Sequence, residues 1–342
     1  MPTLDVFNQD PFSMHTLTAS FNKLPYQPMR LGSLKLFQEA GVRTTSVDVE
    51  SRDGRLSLIQ SSARGGSAPD PVGKNARSMR TFQAYHFERD SKVYADEVQG
   101  VRAFGSETEL QQVQDLVNER MAELIPAHEV TLEYHRANAI QGVLLDADGS
   151  TLKNLFTEFG VTQQTLEIAL GTATTKVRER IVAAKRLAEA ELGGEVIVGW
   201  RGFLSPEYWD ALTSHALVVN AYQYQQGQVL QTDLRASGFN FADVMWEEYR
   251  GAVTKPTSVG GGTATFMPAD IGWLVPITAN PIFITRFAPA DYEETVNTLG
   301  LPRYVKTAQD PSGLNKYRLI NTQSNQISLC LRPRAVIKLT KT

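Results

Sequence analysis

Residues 95–110 read ADEVQGVRAFGSETEL, and a helical pattern begins at the end of this stretch. Ser106 and Glu109 have the spacing of a capping box, in which two side chains satisfy backbone N–H groups of the first helical turn. Apolar side chains and one histidine then recur every three or four residues, on one stripe of a helix. They are Leu110, Val113, Val117, Met121, Leu124, His128 and Leu132. The spacing predicts a helix over residues 107–140, about 50 Å long at 1.5 Å per residue.

This long helix has an unbalanced charge and contains one proline. Between Ser106 and Arg136 the chain has seven acidic and two basic residues, so the exposed face of the helix is expected to be acidic. Pro126 is expected to kink or interrupt the helix, because proline lacks the N–H that a helical residue donates. A single amphipathic helix of this length needs a sheet or a neighbouring molecule to cover its apolar stripe.

The residues before this stretch predict a long hairpin that projects from its domain. Residues 43–60 alternate between polar and apolar side chains about Asp53 and Gly54, a strong turn signal. A loop rich in Ser, Gly and Pro follows, and residues 79–87 are typical of a returning strand. The hairpin has too few apolar residues to bury both faces, so we expect it to be mobile or docked on a partner. Residues 1–40 contain four prolines and predict an extended arm with little core of its own.

The residues after the long helix predict short strands and helices in no repeating βαβ order. The predicted strands are residues 143–145, 152–156, 165–170, 195–200, 317–323 and 335–339, and the predicted helices are residues 174–192 and 290–299. Ser205, Pro206 and Glu207 carry the signals of another helix start. Residues 216–287 are expected to be mostly strands and loops. This mixture favours an α+β fold over a doubly wound sheet.

The composition excludes several classes of protein. The 342-residue chain has 34 Lys and Arg residues against 37 Asp and Glu residues, so it lacks the basic surface that tight phosphate binding requires. Its one cysteine, Cys330, excludes an internal disulfide framework. The first twelve residues lack the basic and apolar regions of a signal peptide, and the most apolar stretch, residues 271–284, is too short to span a membrane. We therefore expect a soluble protein that folds in a reducing cytoplasm.

Two groups of residues are candidates for chemistry. Asp146 and Asp148 follow a short apolar run, as the nucleophile and the acid/base aspartate of haloacid-dehalogenase-type phosphatases do. Asp and Gly also favour hairpin turns for backbone reasons alone, and we favour a turn here, with the phosphatase as the alternative. His128 and His135 lack the spacing of a zinc-binding helix and a third ligand, so we expect solvated or interface histidines. We expect no catalytic residue, cofactor or metal ion.

Six stretches are spread in order over nearly the whole chain. They are residues 23–37 (KLPYQPMRLGSLKLF), 44–59 (TTSVDVESRDGRLSLI), 95–110, 143–160 (VLLDADGSTLKNLFTEFG), 287–302 (FAPADYEETVNTLGLP) and 323–339 (QSNQISLCLRPRAVIKL). Together they resemble the major capsid protein E family of lambda-like tailed bacteriophages. The most specific element is ADEVQGVRAFGSE directly before the long helix. None of the stretches is a catalytic signature, and the resemblance lies in their combination and order.

The resemblance implies the α+β fold of tailed-phage major capsid proteins, the HK97-like fold. In that fold the chain would divide into an N-terminal arm, an extended hairpin loop, a peripheral domain with a long spine helix, an axial domain and a return to the peripheral domain. The corresponding residues would be 1–42 for the arm, 43–97 for the loop, 98–170 for the peripheral domain with the spine helix, 171–300 for the axial domain and 301–342 for the return strands.

The resemblance also implies a structural function. Identical subunits would form the hexamers and pentamers of an icosahedral head around double-stranded DNA, which they would contact without sequence specificity. A scaffolding protein, a portal and, in some relatives, a decoration protein would be partners, and no membrane would be involved. The protein would assemble in the cytoplasm of the bacterial host and end in the virion. A non-capsid encapsulating shell is a third interpretation.

A few residues of the extended loop are expected at the contacts between subunits. The arm and this loop would lie over adjacent subunits and would shift, with the spine helix, during packaging-driven expansion of the shell. The residues expected at this interface are Val47, Val49, Asp53, Gly54, Leu56, Leu58, Phe82 and Tyr85.

Overall fold

The computed structural model of the chain describes residues 14–23, 29–52, 77–94, 97, 109–226, 234–235, 237–314 and 316–342. Contacts divide the chain into two compact units. Unit 1 comprises Met1–Val47, Phe82–Glu133 and Thr285–Ser328, and unit 2 comprises Asp48–Thr81, Tyr134–Ile284 and Leu329–Thr342. Within the described residues, no helix has the length and apolar character needed to cross a membrane.

The described elements mix helices and strands throughout the chain, as the sequence predicts for an α+β fold. The helices are α1 (Met14–Lys23), α2 (Arg30–Ser33), α3 (Glu109–Gln141), α4 (Leu155–Phe159), α5 (Val177–Leu192), α6 (Pro206–Ser214) and α7 (Ala216–Gln226). The strands are β1 (Gln38–Gly41), β2 (Ser46–Arg52), β3 (Arg77–Gln83), β4 (Tyr85–Tyr94), β5 (Val143–Leu145), β6 (Thr151–Asn154), β7 (Thr165–Glu167), β8 (Ile197–Leu204), β9 (Phe239–Phe241), β10 (Val244–Glu248), β11 (Ala252–Thr254), β12 (Thr263–Thr265), β13 (Ile271–Thr278), β14 (Phe283–Phe287), β15 (Tyr304–Gln309), β16 (Tyr317–Cys330) and β17 (Ile337–Thr340).

Helix α3 is the long helix that the sequence predicts, and it has 33 residues. Pro126 lies inside it, so the expected interruption is wrong. The apolar stripe is buried over several turns on both sides of the proline, from Val117 to Leu132. This packing outweighs the loss of one backbone hydrogen bond at the proline, because tertiary burial supplies most of the stability of a helix in a protein.

Unit 1 is built around a five-stranded sheet that helices α1 and α3 help to cover. The strand order is β1-β14-β16-β15, and β4 pairs with β16 along ten residues. The core contains Leu17 of α1, Val93 of β4, Val117, Met121, Leu124 and Ile125 of α3, Val305 of β15 and Ile320 of β16. The expected extended arm is therefore wrong for residues 14–23, which form a helix whose Leu17 belongs to this core.

Unit 2 contains a mixed six-stranded sheet with the order β7-β17-β13-β8-β10-β9. Its core joins the sheet to α5 and α6, with Ile181, Tyr208 and Trp209 among the buried residues. Gly202 is required at the centre of the sheet, because a Cβ atom there would lie 2.0 Å from the indole of Trp246. The hairpin β5–β6 forms a separate two-stranded sheet within the same unit.

Three sequence predictions after the long helix are wrong in part. Residues 216–226 form helix α7, where strands and loops were expected. Residues 290–299 contain only a 3₁₀ turn at Glu293–Thr295, because the Thr295 hydroxyl donates to the Ala290 and Tyr292 carbonyls and competes with helical hydrogen bonds. The strand expected over residues 152–156 ends at Asn154, whose side chain caps α4.

Strand β2 pairs with β3, which agrees with a long hairpin whose arms lie on either side of a polar loop. The turn expected at Asp53 and Gly54 and the alternating residues after it lie outside the described residues. Asp48 on β2 accepts a hydrogen bond of 2.6 Å from the Thr81 hydroxyl on β3, which supports the pairing of the two strands.

Candidate functional site

The Asp146–Ser150 segment is an exposed hairpin turn between β5 and β6. The N–H of Asp146 donates to the Ser150 carbonyl over 2.9 Å, and the N–H of Gly149 donates to the Asp146 carbonyl over 3.0 Å. The Ser150 N–H donates to Asp148 Oδ1 over 2.7 Å, and hydrogen bonds from Ser150 hold the pKa of Asp148 below its ordinary value. Both carboxylates accept N–H groups of the turn itself, so they stabilise a turn and are not arranged as a nucleophile with an acid/base partner.

His128 and His135 are buried in the chain, so the expectation of solvated or interface histidines is wrong. The Thr322 hydroxyl donates to the Arg89 carbonyl, so its oxygen accepts the Nε2–H of His128 over 2.9 Å. Burial, together with the positive charges of Arg303 and Arg89, lowers the pKa of His128 to about 4. Burial likewise lowers the pKa of His135 to about 4. Both imidazoles are neutral packing groups at neutral pH.

Within the described residues, no group of three or more His, Cys, Asp or Glu side chains could hold a metal ion. Cys330 is fully buried, and this burial raises the pKa of its thiol to about 12. A thiol protonated at neutral pH is a poor nucleophile and a poor metal ligand. Among the described residues, these groups do not form an arrangement suited to catalysis. Other contacts of the described residues hold the segments of unit 1 together.

A buried carboxylate on α3 holds the segment that contains α2. Glu133 is 2% exposed, and its two oxygens accept the N–H groups of Leu31 over 2.6 Å and Gly32 over 3.3 Å. The side chain of Leu31 is fully buried beside this contact. Further along the same segment, Arg286 Nη1 donates to the Gln38 carbonyl over 2.8 Å. Residues 29–41 are therefore attached to unit 1 of their own chain at both ends.

The Glu133 contact provides a test of this attachment. In Glu133→Gln we expect a loss of about 1.5–3 kcal/mol of unfolding free energy, because one acceptor becomes an NH₂ group that cannot accept a hydrogen bond. Hydrogen exchange at the amides of Leu31 and Gly32 should accelerate in the same variant. The control is Glu119→Gln, an exposed position on the same helix, with a change within about 0.5 kcal/mol. Unchanged exchange at Leu31 and Gly32 in Glu133→Gln would contradict the attachment.

Polar side chains on β16 form hydrogen bonds with β4 and with the segment between β14 and β15. The Asn325 side chain contacts His86 Nδ1 over 2.7 Å and donates to the Pro289 carbonyl over 2.6 Å. Gln323 accepts the N–H of Asp291 over 3.0 Å, and the Ser324 hydroxyl donates to the Pro302 carbonyl over 2.8 Å. Sequence analysis does not identify this role, because the polar run on β16 resembles an exposed strand. These bonds fix the segment between β14 and β15 on the sheet.

The structure describes half of the residues expected at the contacts between subunits. Val47, Val49 and Phe82 are buried within the chain, and Tyr85 is partly buried. The remaining four, Asp53, Gly54, Leu56 and Leu58, lie outside the described residues. Contact of these eight residues with other subunits stays a prediction.

The fold defines a class of protein. The chain is similar to the solved structure of a prophage protein of E. coli CFT073 described as a capsid protein, with a TM-score of 0.59 and 12% identity over 96% of this chain and 99% of that one. It is also similar to the capsid of an empty GTA particle, with a TM-score of 0.51 and 12% identity over 92% of this chain and 93% of that one. This fold is the HK97-like fold of phage capsid proteins.

The family follows from the sequence comparisons. The model of the family "Phage major capsid protein E" matches residues 13–341. The major capsid protein of Pseudomonas phage KPP10 is 33% identical over 328 residues, which cover 89% of this chain and 91% of that protein. The major capsid protein of Salmonella phage Felix O1 is 22% identical over 95% of both chains. The chain belongs to the phage major capsid protein E family, whose members are structural proteins of the virion and not enzymes. Nothing in these comparisons supports the phosphatase alternative.

Proposed function

We propose that identical copies of this chain assemble into the hexamers and pentamers of an icosahedral phage head that encloses double-stranded DNA. The observation that carries the proposal is the family match over residues 13–341. A closed shell of this kind is built from heterologous contacts, in which one surface of a subunit meets a different surface of the next. The near balance of 34 basic and 37 acidic residues suits a lining that contacts DNA without holding it tightly.

The same proposal assigns roles to the parts of the chain. Residues 1–42 act as the arm, 43–97 as the extended loop, 98–170 and 301–342 as the peripheral domain and 171–300 as the axial domain. The pairing of β2 with β3 supports a long hairpin within the loop. The arm and loop lie over adjacent subunits and shift with the spine helix when the shell expands. A scaffolding protein, a portal and a decoration protein act as partners in a head assembled in the host cytoplasm.

Sedimentation with negative-stain microscopy of the purified protein, alone and with its scaffolding protein, tests the shell. Closed particles, or rings of five and six subunits, are the expected result. A monomer under both conditions would overturn the proposal.

The extended loop can be tested without disturbing the strands beside it. Replacement of residues 53–76 by a short Gly-Ser linker keeps β2, β3 and β4, and the β4 pairing with β16 is needed for the sheet of unit 1. We expect a folded subunit, with a thermal unfolding midpoint close to that of the wild type, that no longer forms shells. If the variant formed shells at the wild-type yield, residues 53–76 would not be needed for the contacts between subunits.

A further inference from the structure

Helix α1 lies against the edge of the unit 1 sheet. Strand β15 ends the strand order of that sheet and, among the described strands, pairs with β16 alone. The Thr18 hydroxyl on α1 donates to the Val305 carbonyl over 3.2 Å, and the same hydroxyl oxygen accepts the Val305 N–H over 3.2 Å. One side chain of α1 therefore binds both backbone groups of Val305 that a further strand would use.

The contact between α1 and β15 is buried. Leu17 and Thr18 are each 3% exposed, and Val305 is fully buried. Leu17 and Val305 belong to the same apolar core. Because Val305 is shielded from water, its N–H and carbonyl groups need a partner within the protein, and Thr18 is that partner. Helix α1 thus completes the edge of the sheet as a strand would, but through one hydroxyl instead of a ladder of backbone hydrogen bonds.

Without α1, strand β15 has the properties of an edge that pairs with other strands. Backbone groups alternate in direction along an antiparallel strand, so the N–H and carbonyl groups of Thr307 and Gln309 point to the same edge as those of Val305. Natural edge strands commonly carry prolines or charges that prevent pairing. The sequence of β15, YVKTAQ, has no proline, and its one charged side chain, Lys306, lies 2.7 Å from Glu294 in an ion pair.

A second copy of β15 is complementary to this edge. Two antiparallel copies of one strand present the same backbone groups to each other about a two-fold axis, so the pairing is self-complementary. The two exposed side chains at the end of β15, Ala308 and Gln309, are uncharged and do not repel a second copy. Each chain has one such edge, so this pairing stops at a dimer.

We propose that α1 is an edge cover, which prevents β15 from pairing with the β15 strand of a second copy of this chain. While α1 is docked, the Thr18 hydroxyl and the buried Leu17 side chain exclude a second strand from Val305. When α1 detaches, the edge becomes accessible and two copies pair through it. The proposal concerns the single subunit and does not depend on the shell proposed above.

Hydrogen exchange tests the cover. In the wild-type chain the Val305 N–H should exchange together with the amides of α1, and faster than the Lys306 N–H, which points to β16. In Thr18→Val, exchange at Val305 should accelerate about tenfold, because both hydrogen bonds of the hydroxyl are lost. Thr18→Ser keeps the hydroxyl and should exchange like the wild type. Equal rates at Val305 and Lys306 in the wild type, or an unchanged rate at Val305 in Thr18→Val, would overturn the proposal.

Sedimentation velocity of the subunits that are not in shells tests the pairing. We expect monomers for the wild type and for Thr16→Val, at an exposed threonine of the same helix, and dimers for Thr18→Val. Adding Thr307→Pro to Thr18→Val should restore monomers, because proline removes an N–H that points to the open edge and leaves the ladder with β16 intact. Monomers in Thr18→Val, or dimers that persist with Thr307→Pro, would contradict the pairing. Thr18→Ala replaces Thr18→Val in both measurements if the valine variant does not fold.

Discussion

Replacement of Arg303 by methionine is expected to lower the free energy of unfolding by about 3–5 kcal/mol. Arg303 Nη1 lies 3.0 Å from Glu129 Oε1, and the two side chains are each 9% exposed. Arg303→Met leaves the Glu129 carboxylate buried without this cation. The desolvation of the carboxylate is then no longer offset by its partner, and this destabilises the folded state. Urea unfolding of the variant and the wild type measures the difference.

Two further variants test whether the loss of stability in Arg303→Met comes from the burial of the ion pair or from the loss of a charge alone. In Arg303→Met combined with Glu129→Leu we expect most of the stability to return, because both charges have been removed from the interior. Lys306→Met breaks the nearby pair with Glu294, whose side chains are 33% and 50% exposed, and should cost less than about 1 kcal/mol. Equal losses in Arg303→Met and Lys306→Met would show that burial of the Glu129 pair has no special weight.

Acidification is expected to lower the free energy of unfolding by about 3 kcal/mol for each of the two buried histidines. Burial lowers the pKa values of His128 and His135 from 6.5 to about 4, so between these pH values the unfolded chain binds protons that the folded chain does not. The stabilisation is fully present above pH 6.5 and is lost as the pH falls through the folded value near 4. Urea unfolding measured across this pH range gives the slope of the free energy of unfolding against pH.

Substitution of the histidines tests whether His128 and His135 cause the pH dependence of the free energy of unfolding. His128→Gln with His135→Gln should flatten the dependence of stability on pH above pH 4, whereas His86→Gln, at a side chain that is 44% exposed, should leave it unchanged. Arg303→Met should raise the pKa of His128, because the charge of Arg303 contributes to its low value. A slope that persists in the double histidine variant would assign the acid sensitivity to carboxylates.

The parts of the fold that follow from local pattern could be predicted from the sequence. The spacing of the apolar residues from Val117 to Leu132, which are buried in the structure, predicted α3. The residues around Asp148 and Gly149 predicted the turn between β5 and β6. Ser205 caps α6 as its neighbours predicted, with a hydrogen bond from the Tyr208 N–H. Each of these features depends on side chains within a few residues of one another, so the information is present in a short window.

The sequence predictions that are wrong share one cause. In each case the structure depends on contacts with residues that are distant in sequence. His128 belongs to the interior because Thr322, 194 residues away, accepts its N–H. Residues 14–23 fold as a helix with Leu17 in a core formed by four other elements, although the surrounding prolines indicated an extended chain. Pro126 fits inside α3 because the burial of the stripe compensates for the missing hydrogen bond.

The sequence by itself determined the α+β class, the long amphipathic helix and the resemblance to the phage major capsid protein E family, because periodicity, turn chemistry and ordered motifs are local properties of a chain. Only the tertiary structure decided which polar groups are interior and which apolar groups remain exposed. Glu133 and Leu31 are 102 residues apart in sequence, yet share a buried contact. Val296, Leu299 and Leu301 face outward because buried threonine and backbone hydrogen bonds fix their loop. Burial depends on the packing of distant segments, and no single stretch of sequence contains it.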